Sequence, residues 1–146
     1  MEGLKQISVF AENKPGKIER ITKVLEEEGI NILAINIASS DSFGVIRFLV
    51  DKCEQAYRRL KEKGFTVSQN EVLAIGMKDR PGGLHEVVQV LTRHKINVEN
   101  AYVLVPEARK QAYLIIEVKE VEKAKFLLSK EGLDFFNPEE GSSRTR

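Results

Sequence analysis

Apolar and polar residues alternate near the start of the chain and then change to a helical period. Ile7 and Val9 are flanked by polar or differently sized residues, which is the two-residue period of a short strand. Apolar residues then recur at the spacing of a helix with one buried face, at Ile18, Ile21, Val24 and Leu25. Pro15 suits the first helical position, because no partner is needed there for its missing N–H, and Gly29 is expected to end the helix.

The following residues predict a hairpin, a second helix and a last strand. The predicted elements are strands at residues 30–38, 45–50 and 65–67 and a helix that carries Ala56, Tyr57 and Leu60. A polar turn at residues 39–44 joins the two hairpin strands, and Gly64 ends the second helix. The predicted order of elements is therefore β-α-β-β-α-β.

This pattern occurs twice in the chain. The residues around Asn13 match those around Asp79, 66 positions later, with the pairs Pro15/Pro81, Gly16/Gly82, Leu25/Leu91, Ile30/Ile96 and Asn31/Asn97. The offset grows to 68 by Val50 and Val118. We place this two-residue insertion in the loop between residues 38 and 45, whose counterpart is the turn at residues 106–110, because surface loops absorb length changes cheaply.

The repeat predicts an α+β chain of two similar domains. We expect a first domain at residues 1–69, a second at residues 70–136 and a disordered tail at residues 137–146. The element order is that of the ferredoxin-like fold, an antiparallel sheet with both helices on one face. A unit of this size buries only about 60% of its extended-chain surface, so we expect units to pair within the chain and between chains.

Composition narrows the function classes. A net charge of +1 provides no broad positive field, so we expect neither a nucleic-acid nor a membrane partner. No apolar run approaches the roughly 20 residues of a membrane span, and the N-terminal residues do not read as a signal peptide, so we expect a cytoplasmic protein. The single cysteine, Cys53, excludes an intrachain disulfide framework and a cluster of thiolate metal ligands.

The turn from first strand to first helix carries candidate binding chemistry in both domains. It reads Asn13-Lys14-Pro15-Gly16 in the first copy and Asp79-Arg80-Pro81-Gly82-Gly83 in the second. Free amides of Gly16, Lys17 and Ile18, or of Gly82, Gly83 and Leu84, would lie at the positive end of the helix dipole and attract a small carboxylate. An acceptor on Asn13 or Asp79 suits an ammonium group, so the pair fits an α-amino acid.

A second asparagine follows the first helix of each domain. Asn31 and Asn97 lie between apolar residues where the second strand begins, and a polar amide there needs partners. Two interpretations are open: these asparagines turn the chain, or they bind a ligand. The Pro-Gly turns likewise serve as helix starts or as binding loops. Repetition of both features in both domains favours binding.

The whole pattern resembles the ACT domain, a small regulatory module that binds amino acids in many enzymes of amino-acid metabolism. The resemblance rests on Asn/Asp-Arg/Lys-Pro-Gly after a strand and Gly-Ile-Asn-Ile after an amphipathic helix, and it covers nearly the whole chain, twice. It implies that ligands lie between two ACT units, held by the Pro-Gly loop of one and the second strand of its neighbour. The residues that match are Asn13, Pro15, Gly16 and Asn31, and Asp79, Pro81, Gly82 and Asn97. Asp79 replaces a frequent asparagine and Lys95 replaces the glycine at Gly29, so the second site can differ in specificity or be vacant.

The predicted ligand set adds neighbours of these motifs. It consists of Asn13, Lys14, Pro15, Gly16, Lys17, Ile18, Asn31 and Ile32 in the first domain, and of Asp79, Arg80, Pro81, Gly82, Gly83, Leu84, Asn97 and Val98 in the second. We expect no catalytic residue, no metal and no cofactor. His85 and His94 have no acidic or thiol partner at metal-ligand spacing and are predicted to be surface helix residues, and Cys53 to be a partly buried, inert thiol.

The leading hypothesis is a stand-alone regulatory protein that binds a free amino acid, forms a homodimer or other homo-oligomer, and transmits occupancy to a partner or to its own assembly. The main alternative is a non-catalytic regulatory subunit, similar to the small subunit of acetohydroxyacid synthase, with an enzyme partner. RNA-binding modules share the element order, but the middle strands offer a weak aromatic platform. A small acylphosphatase-like enzyme is a further alternative, although no phosphate loop is found.

Overall fold

A computed structural model describes residues 4–107 and 110–136. The described elements are β1 (Leu4–Glu12), α1 (Lys17–Glu27), β2 (Ile32–Ser40), β3 (Phe43–Val50), α2 (Cys53–Glu62), β4 (Thr66–Lys78), α3 (Gly83–Arg93), β5 (Asn100–Glu107), β6 (Gln111–Glu117) and α4 (Val121–Ser129). The predicted disordered tail at residues 137–146 lies outside the described residues. By their internal contacts, the described residues divide near residue 70 into two units, the first of which is Lys5–Asn70.

The first unit has the predicted α+β architecture. Its strands lie in the order β2-β3-β1-β4, with β3 antiparallel to both β1 and β2. Ile7 is paired with Phe48 and Val9 with Ile46, so these four side chains share one face of the sheet. They pack in one core with residues of both helices, namely Ile21, Val24 and Leu25 of α1 and Ala56 and Leu60 of α2. Both helices therefore cover the same face, as predicted for a ferredoxin-like unit.

The second unit repeats this architecture. Its strands lie in the order β4-β6-β5, and Leu73 pairs with Ile116 and Ile75 with Leu114. Its core joins those residues to Val87 and Leu91 of α3 and to Ala124 and Leu128 of α4. The counterpart of the first unit's last strand is reduced to a single bridge between Ile75 and Phe135. The predicted duplication of a β-α-β-β-α-β unit is confirmed.

The predicted start of the first helix is wrong. Pro15 is not the first helical residue, because α1 begins at Lys17 and Gly16 is its N-cap with φ 91°. That left-handed conformation is incompatible with a helical turn, so the helix begins only after the glycine. The predicted end is correct, since the chain turns at Gly29 with φ 66°. The helical period also overestimated burial, because Ile18 is 40% exposed.

The strands are longer than the sequence pattern predicted. The polar turn expected at residues 39–44 contains two residues outside strands, Asp41 and Ser42, and Asp41 adopts φ 54° as tight hairpins require. The turn expected at residues 106–110 starts later, because β5 continues to Glu107, and residues 108 and 109 lie outside the described part.

The expected separate strands at residues 65–67 and around Leu73 are one strand, β4. No glycine or proline interrupts it between Thr66 and Ile75, so nothing in its backbone forces a turn between the repeats.

None of the helices in the described part of the chain has the length and apolar composition of a membrane-spanning segment.

Candidate functional site

The first Pro-Gly turn is held between strand β1 and the β2–β3 hairpin. The amide of Asn13 donates to the carbonyl of Ser42 at 2.7 Å, and the amide of Lys14 donates to the carbonyl of Glu12 at 2.9 Å. Gly16 then takes its left-handed conformation, in which an added Cβ would meet no atom within 4 Å. The surface in front of Gly16 is therefore open. Glycine is favoured at this position by the left-handed backbone conformation and not by lack of space for a side chain.

The amides at this helix start are only partly available. No side chain caps the helix, but the amide of Lys17 donates to the carbonyl of Lys14 at 3.3 Å, a long hydrogen bond. The first helical bond runs from the amide of Arg20 to the carbonyl of Gly16 at 3.0 Å. In the part of the chain that the structure describes, this leaves the amides of Gly16 and Ile18 without a partner. Two of the three predicted donors remain, at the positive end of the helix.

Basic side chains surround this turn. Lys14, Lys17, Arg20 and Lys23, with Glu19, line a depression of about 380 Å³ beside Pro15 and Gly16. The Lys14 ammonium lies 2.7 Å from the Glu12 carboxylate, and this hydrogen bond raises the pKa of Lys14 and lowers the pKa of Glu12. Both groups are exposed, so the ion pair contributes little to the stability of the fold. Of the residues that line the depression, Glu19, Arg20 and Lys23 were not in the predicted set.

The second Pro-Gly turn has the same backbone but a different environment. Gly82 is the N-cap of α3 with φ 86°, and no side chain caps this helix either. The Arg80 guanidinium donates to Glu86 at 2.7 Å and to the carbonyl of Pro81 at 3.3 Å, so it folds back over the turn. The amide of Gly83 donates to the carbonyl of Arg80 at 2.9 Å, so of the three predicted donors of this turn, the amides of Gly82 and Leu84 have no partner among the described residues.

Gly83 has a structural explanation. It is buried, and a Cβ built on it would lie 1.9 Å from the carbonyl oxygen of Lys78. Its counterpart in the first unit is Lys17, which carries a full side chain. The start of α3 therefore packs against the end of β4 more closely than a side chain permits. A role of Gly83 in ligand binding stays a prediction.

The structure places Asn31 and Asn97 far from the Pro-Gly turn of their own unit. Eleven helical residues separate Gly16 from the end of α1, which corresponds to about 16 Å. Asn31 is exposed, its backbone N–H donates to the carboxylate of Asp51 at 3.0 Å, and its neighbour Ile32 packs against the first core. Asn97 is also exposed and lines a depression of about 370 Å³ with Lys95. Within one unit, turn and asparagine do not meet.

Two predicted ligand residues of the second unit line the same groove. Leu84, in the first turn of α3, and Val98, just before β5, line one apolar groove of about 300 Å³. Val88 and Ala101 line the same groove, and sequence reasoning did not select them. A comparison of the two repeats could have selected Val88 and Ala101, because the first unit has Thr22 and Ile35 at the corresponding positions.

Cys53 and one of the two histidines have structural partners. Cys53 is partly buried as predicted, its thiol lies 3.6 Å from the side-chain oxygen of Gln69, and burial raises its pKa to about 11. His85 is exposed as predicted, but His94 is partly buried, with Nε2 2.6 Å from Glu131. Among the described residues, no group of three or more His, Cys, Asp or Glu side chains is placed to hold a metal ion.

Comparison with known proteins agrees with this architecture. A family model described as an ACT domain pair matches residues 2–144. The crystal structure of protein BT0572 from Bacteroides thetaiotaomicron is similar with a TM-score of 0.85 and 30% identity, over 92% of this chain and 92% of that chain. None of the curated proteins is similar enough in sequence to match.

More distant structures share the fold. The ligand-free regulatory subunit of aspartate kinase from Thermus thermophilus has a TM-score of 0.62 and 19% identity, over 86% of this chain and 91% of that chain. The regulatory subunit of aspartate kinase from Thermus flavus has a TM-score of 0.57 and 15% identity, over 86% and 90%. The family model covers nearly the whole chain, and the two units have the duplicated architecture with glycine-capped first helices. The protein therefore belongs to the family of ACT domain pairs.

Proposed function

We propose that this protein binds a free α-amino acid between ACT units and passes its occupancy to a partner or to its own assembly. The observation that carries the proposal is the pair of equivalent helix starts, each opened by a left-handed glycine and without a side-chain cap. Such a start leaves amide donors at the positive end of a helix, where a carboxylate binds well. The acceptors on Asn13 and Asp79, just upstream, suit the ammonium group of the same molecule.

A complete site needs a neighbouring ACT unit. The Pro-Gly turn and the second asparagine of one unit are separated by the length of a helix, about 16 Å, which is more than an amino acid can span. The site is therefore assembled from the turn of one unit and the asparagine-bearing strand of another. In that arrangement, ligand binding stabilises one assembly over others by its difference in affinity, which is how occupancy becomes a signal.

Exposed apolar side chains on the edge strands support self-association. Ile35 and Ile37 of β2 are 44% and 50% exposed, and Val103 and Val105 of β5 are 44% and 45% exposed. An edge strand with apolar residues in water is a surface that pairs readily with another chain. We therefore propose a homo-oligomer, with the dimer as its simplest form. We propose a binding function without a catalytic residue.

Calorimetric titration of the protein with each common amino acid tests this function. At about 100 times the dissociation constant, the bound amino acid should add about 2.7 kcal/mol to the free energy of unfolding, which a thermal-shift assay detects easily. Asn31→Ala should weaken binding by about 1–3 kcal/mol, because it removes a hydrogen bond to a charged ligand group. Gln89→Ala removes a side-chain amide from an exposed position of helix α3, outside the predicted ligand residues, and serves as the control. If none of the amino acids binds, the proposal is wrong.

A regulatory subunit of an amino-acid biosynthetic enzyme is the second candidate. The aspartate kinase regulatory subunits of two Thermus species have a similar fold over 86% of this chain. Affinity purification from native lysate separates the two candidates. Stoichiometric recovery of a large catalytic chain, released or retained according to amino-acid concentration, favours the subunit. Recovery of this protein alone, together with amino-acid binding, favours the stand-alone regulator.

A further inference from the structure

The second unit has an apolar groove that begins at its Pro-Gly turn. The groove has a volume of about 300 Å³ and runs between helix α3 and strand β5, one of the two edge strands of the described sheet. Its walls are formed by Leu84 and Val88 of α3, Ile96 and Val98 of the following segment, Ala101 of β5 and Leu114 of β6. Leu84 lines this groove and also lies in the first turn of α3, where its backbone amide has no partner among the described residues.

We propose that this groove binds the side chain of the ligand and makes the second site selective for an aliphatic amino acid, such as leucine, isoleucine, valine or methionine. The inference rests on the proposed function. The carboxylate of the ligand lies at the amides of Gly82 and Leu84, and its side chain extends along the groove past Val88. The positive helix end complements the carboxylate, and the apolar walls complement the hydrocarbon.

The lining chemistry excludes polar side chains. The one hydroxyl in the groove belongs to Thr92, and it donates to the carbonyl of Val88 at 3.0 Å. A charged or amide side chain in the groove would face mainly apolar walls, with the acceptor of the Thr92 hydroxyl as its one side-chain partner, so it is disfavoured. The volume lies at the lower end of the range for small-molecule pockets, so it fits a side chain better than a segment of another protein.

Differences between the repeats explain why the groove is open and apolar. Ala101 occupies the position of Ile35 in the first unit, so three carbon atoms fewer fill the space beside the helix. Val88 replaces Thr22, which removes a hydroxyl, and Thr92 replaces Glu26, which removes a charge. All three changes make the second groove larger or less polar than the corresponding surface of the first unit. These residues, rather than the shared Pro-Gly motif, set the selectivity.

Titration of the full chain with leucine, alanine, serine and aspartate tests the inference. Each buried methylene strengthens binding about fourfold, so leucine, with three more carbon atoms than alanine, should bind about 60-fold more tightly. Ala101→Ile installs the residue of the first unit and should weaken leucine binding at least tenfold, while alanine binding changes less than threefold. Val88→Thr, a change of nearly equal volume, should also weaken leucine binding and guards against a folding defect in the first variant.

Arg58→Ile is the control, because it places the same isoleucine at an exposed position of helix α2, outside the predicted ligand residues and the edge strands. Leucine affinity in this variant should equal that of the unchanged protein. Tighter binding of serine or aspartate than of leucine, or unchanged leucine affinity in both groove variants, overturns the inference but leaves amino-acid binding intact. Absence of binding for every amino acid overturns the proposed function and the inference together.

Discussion

Replacement of Gly83 by alanine tests the close approach between α3 and β4. In the structure, the new Cβ would lie 1.9 Å from the carbonyl oxygen of Lys78 and 3.0 Å from its carbonyl carbon. Nonbonded carbon and oxygen atoms do not approach this closely, so the helix start must move away from the strand by about 1 Å. That shift strains the turn in which the amide of Gly83 donates to the carbonyl of Arg80 at 2.9 Å.

The expected loss of stability follows from these two contacts. Crowding in a well-packed site costs about 1–3 kcal/mol, and a weakened hydrogen bond adds about 1 kcal/mol, so Gly83→Ala should lower the free energy of unfolding by about 2–4 kcal/mol. Gly82→Ala is the control on the adjacent residue. Its nearest neighbour is Nη1 of Arg80 at 3.9 Å, so it meets no clash, and its left-handed φ costs about 1–2 kcal/mol. The gain from reduced unfolded-state entropy is common to both variants and cancels.

Urea unfolding followed by circular dichroism provides the measurement. With a slope of about 2 kcal/mol per molar urea, Gly83→Ala should shift the midpoint by about 1–2 M, clearly more than Gly82→Ala. An equal or smaller shift for Gly83→Ala than for Gly82→Ala would refute the reasoning, because it would mean that α3 and β4 are not in tight contact at this point.

Two further predictions follow from titratable groups. Burial raises the pKa of Cys53 to about 11, so its thiol should react with a disulfide reagent at pH 8 about 100-fold more slowly than an ordinary thiol. The rate should increase as the pH rises toward 11. A rate at pH 8 equal to that of the urea-unfolded chain contradicts this prediction. The hydrogen bond of Lys125 to Glu71 raises the pKa of Lys125, so its stabilisation is complete below about pH 10.4, the ordinary value, and is lost as the pH rises through the raised value. Lys125→Met should therefore lower the free energy of unfolding by about 1 kcal/mol at pH 8, measured from the midpoint of urea unfolding. The difference between the variant and the unchanged protein should be smaller at pH 11.5. An equal difference at pH 8 and pH 11.5 contradicts the stabilising role of the Lys125–Glu71 hydrogen bond.

Local periodicity was sufficient for most of the fold. Ile21, Val24 and Leu25 have the spacing of one helical face and are buried as that spacing requires. Helix ends at Gly29 and Gly64 were also predictable, because glycine readily adopts the left-handed conformation that commonly follows the last turn of a helix. The start of α1 was predicted wrongly, since proline and glycine both suit a helix start and sequence alone does not say which one precedes it.

Some features of the candidate site depended on contacts between distant parts of the chain. Gly83 looked like an open binding residue in sequence, and its burial against Lys78 depends on how closely a helix and a strand approach each other. The groove likewise joins Val88 to Ala101 across the helix–strand boundary, which no local pattern encodes.

Duplication, the order of elements and the two glycine-led turns are properties of residues near each other in the chain, so they could be inferred from spacing alone. The depth and polarity of each site depend on side chains brought together by folding, because the space left between a helix and a strand is a difference between the volumes of many residues. Two nearly identical motifs therefore lie in unlike surroundings, one among lysines and arginine and the other beside an apolar groove.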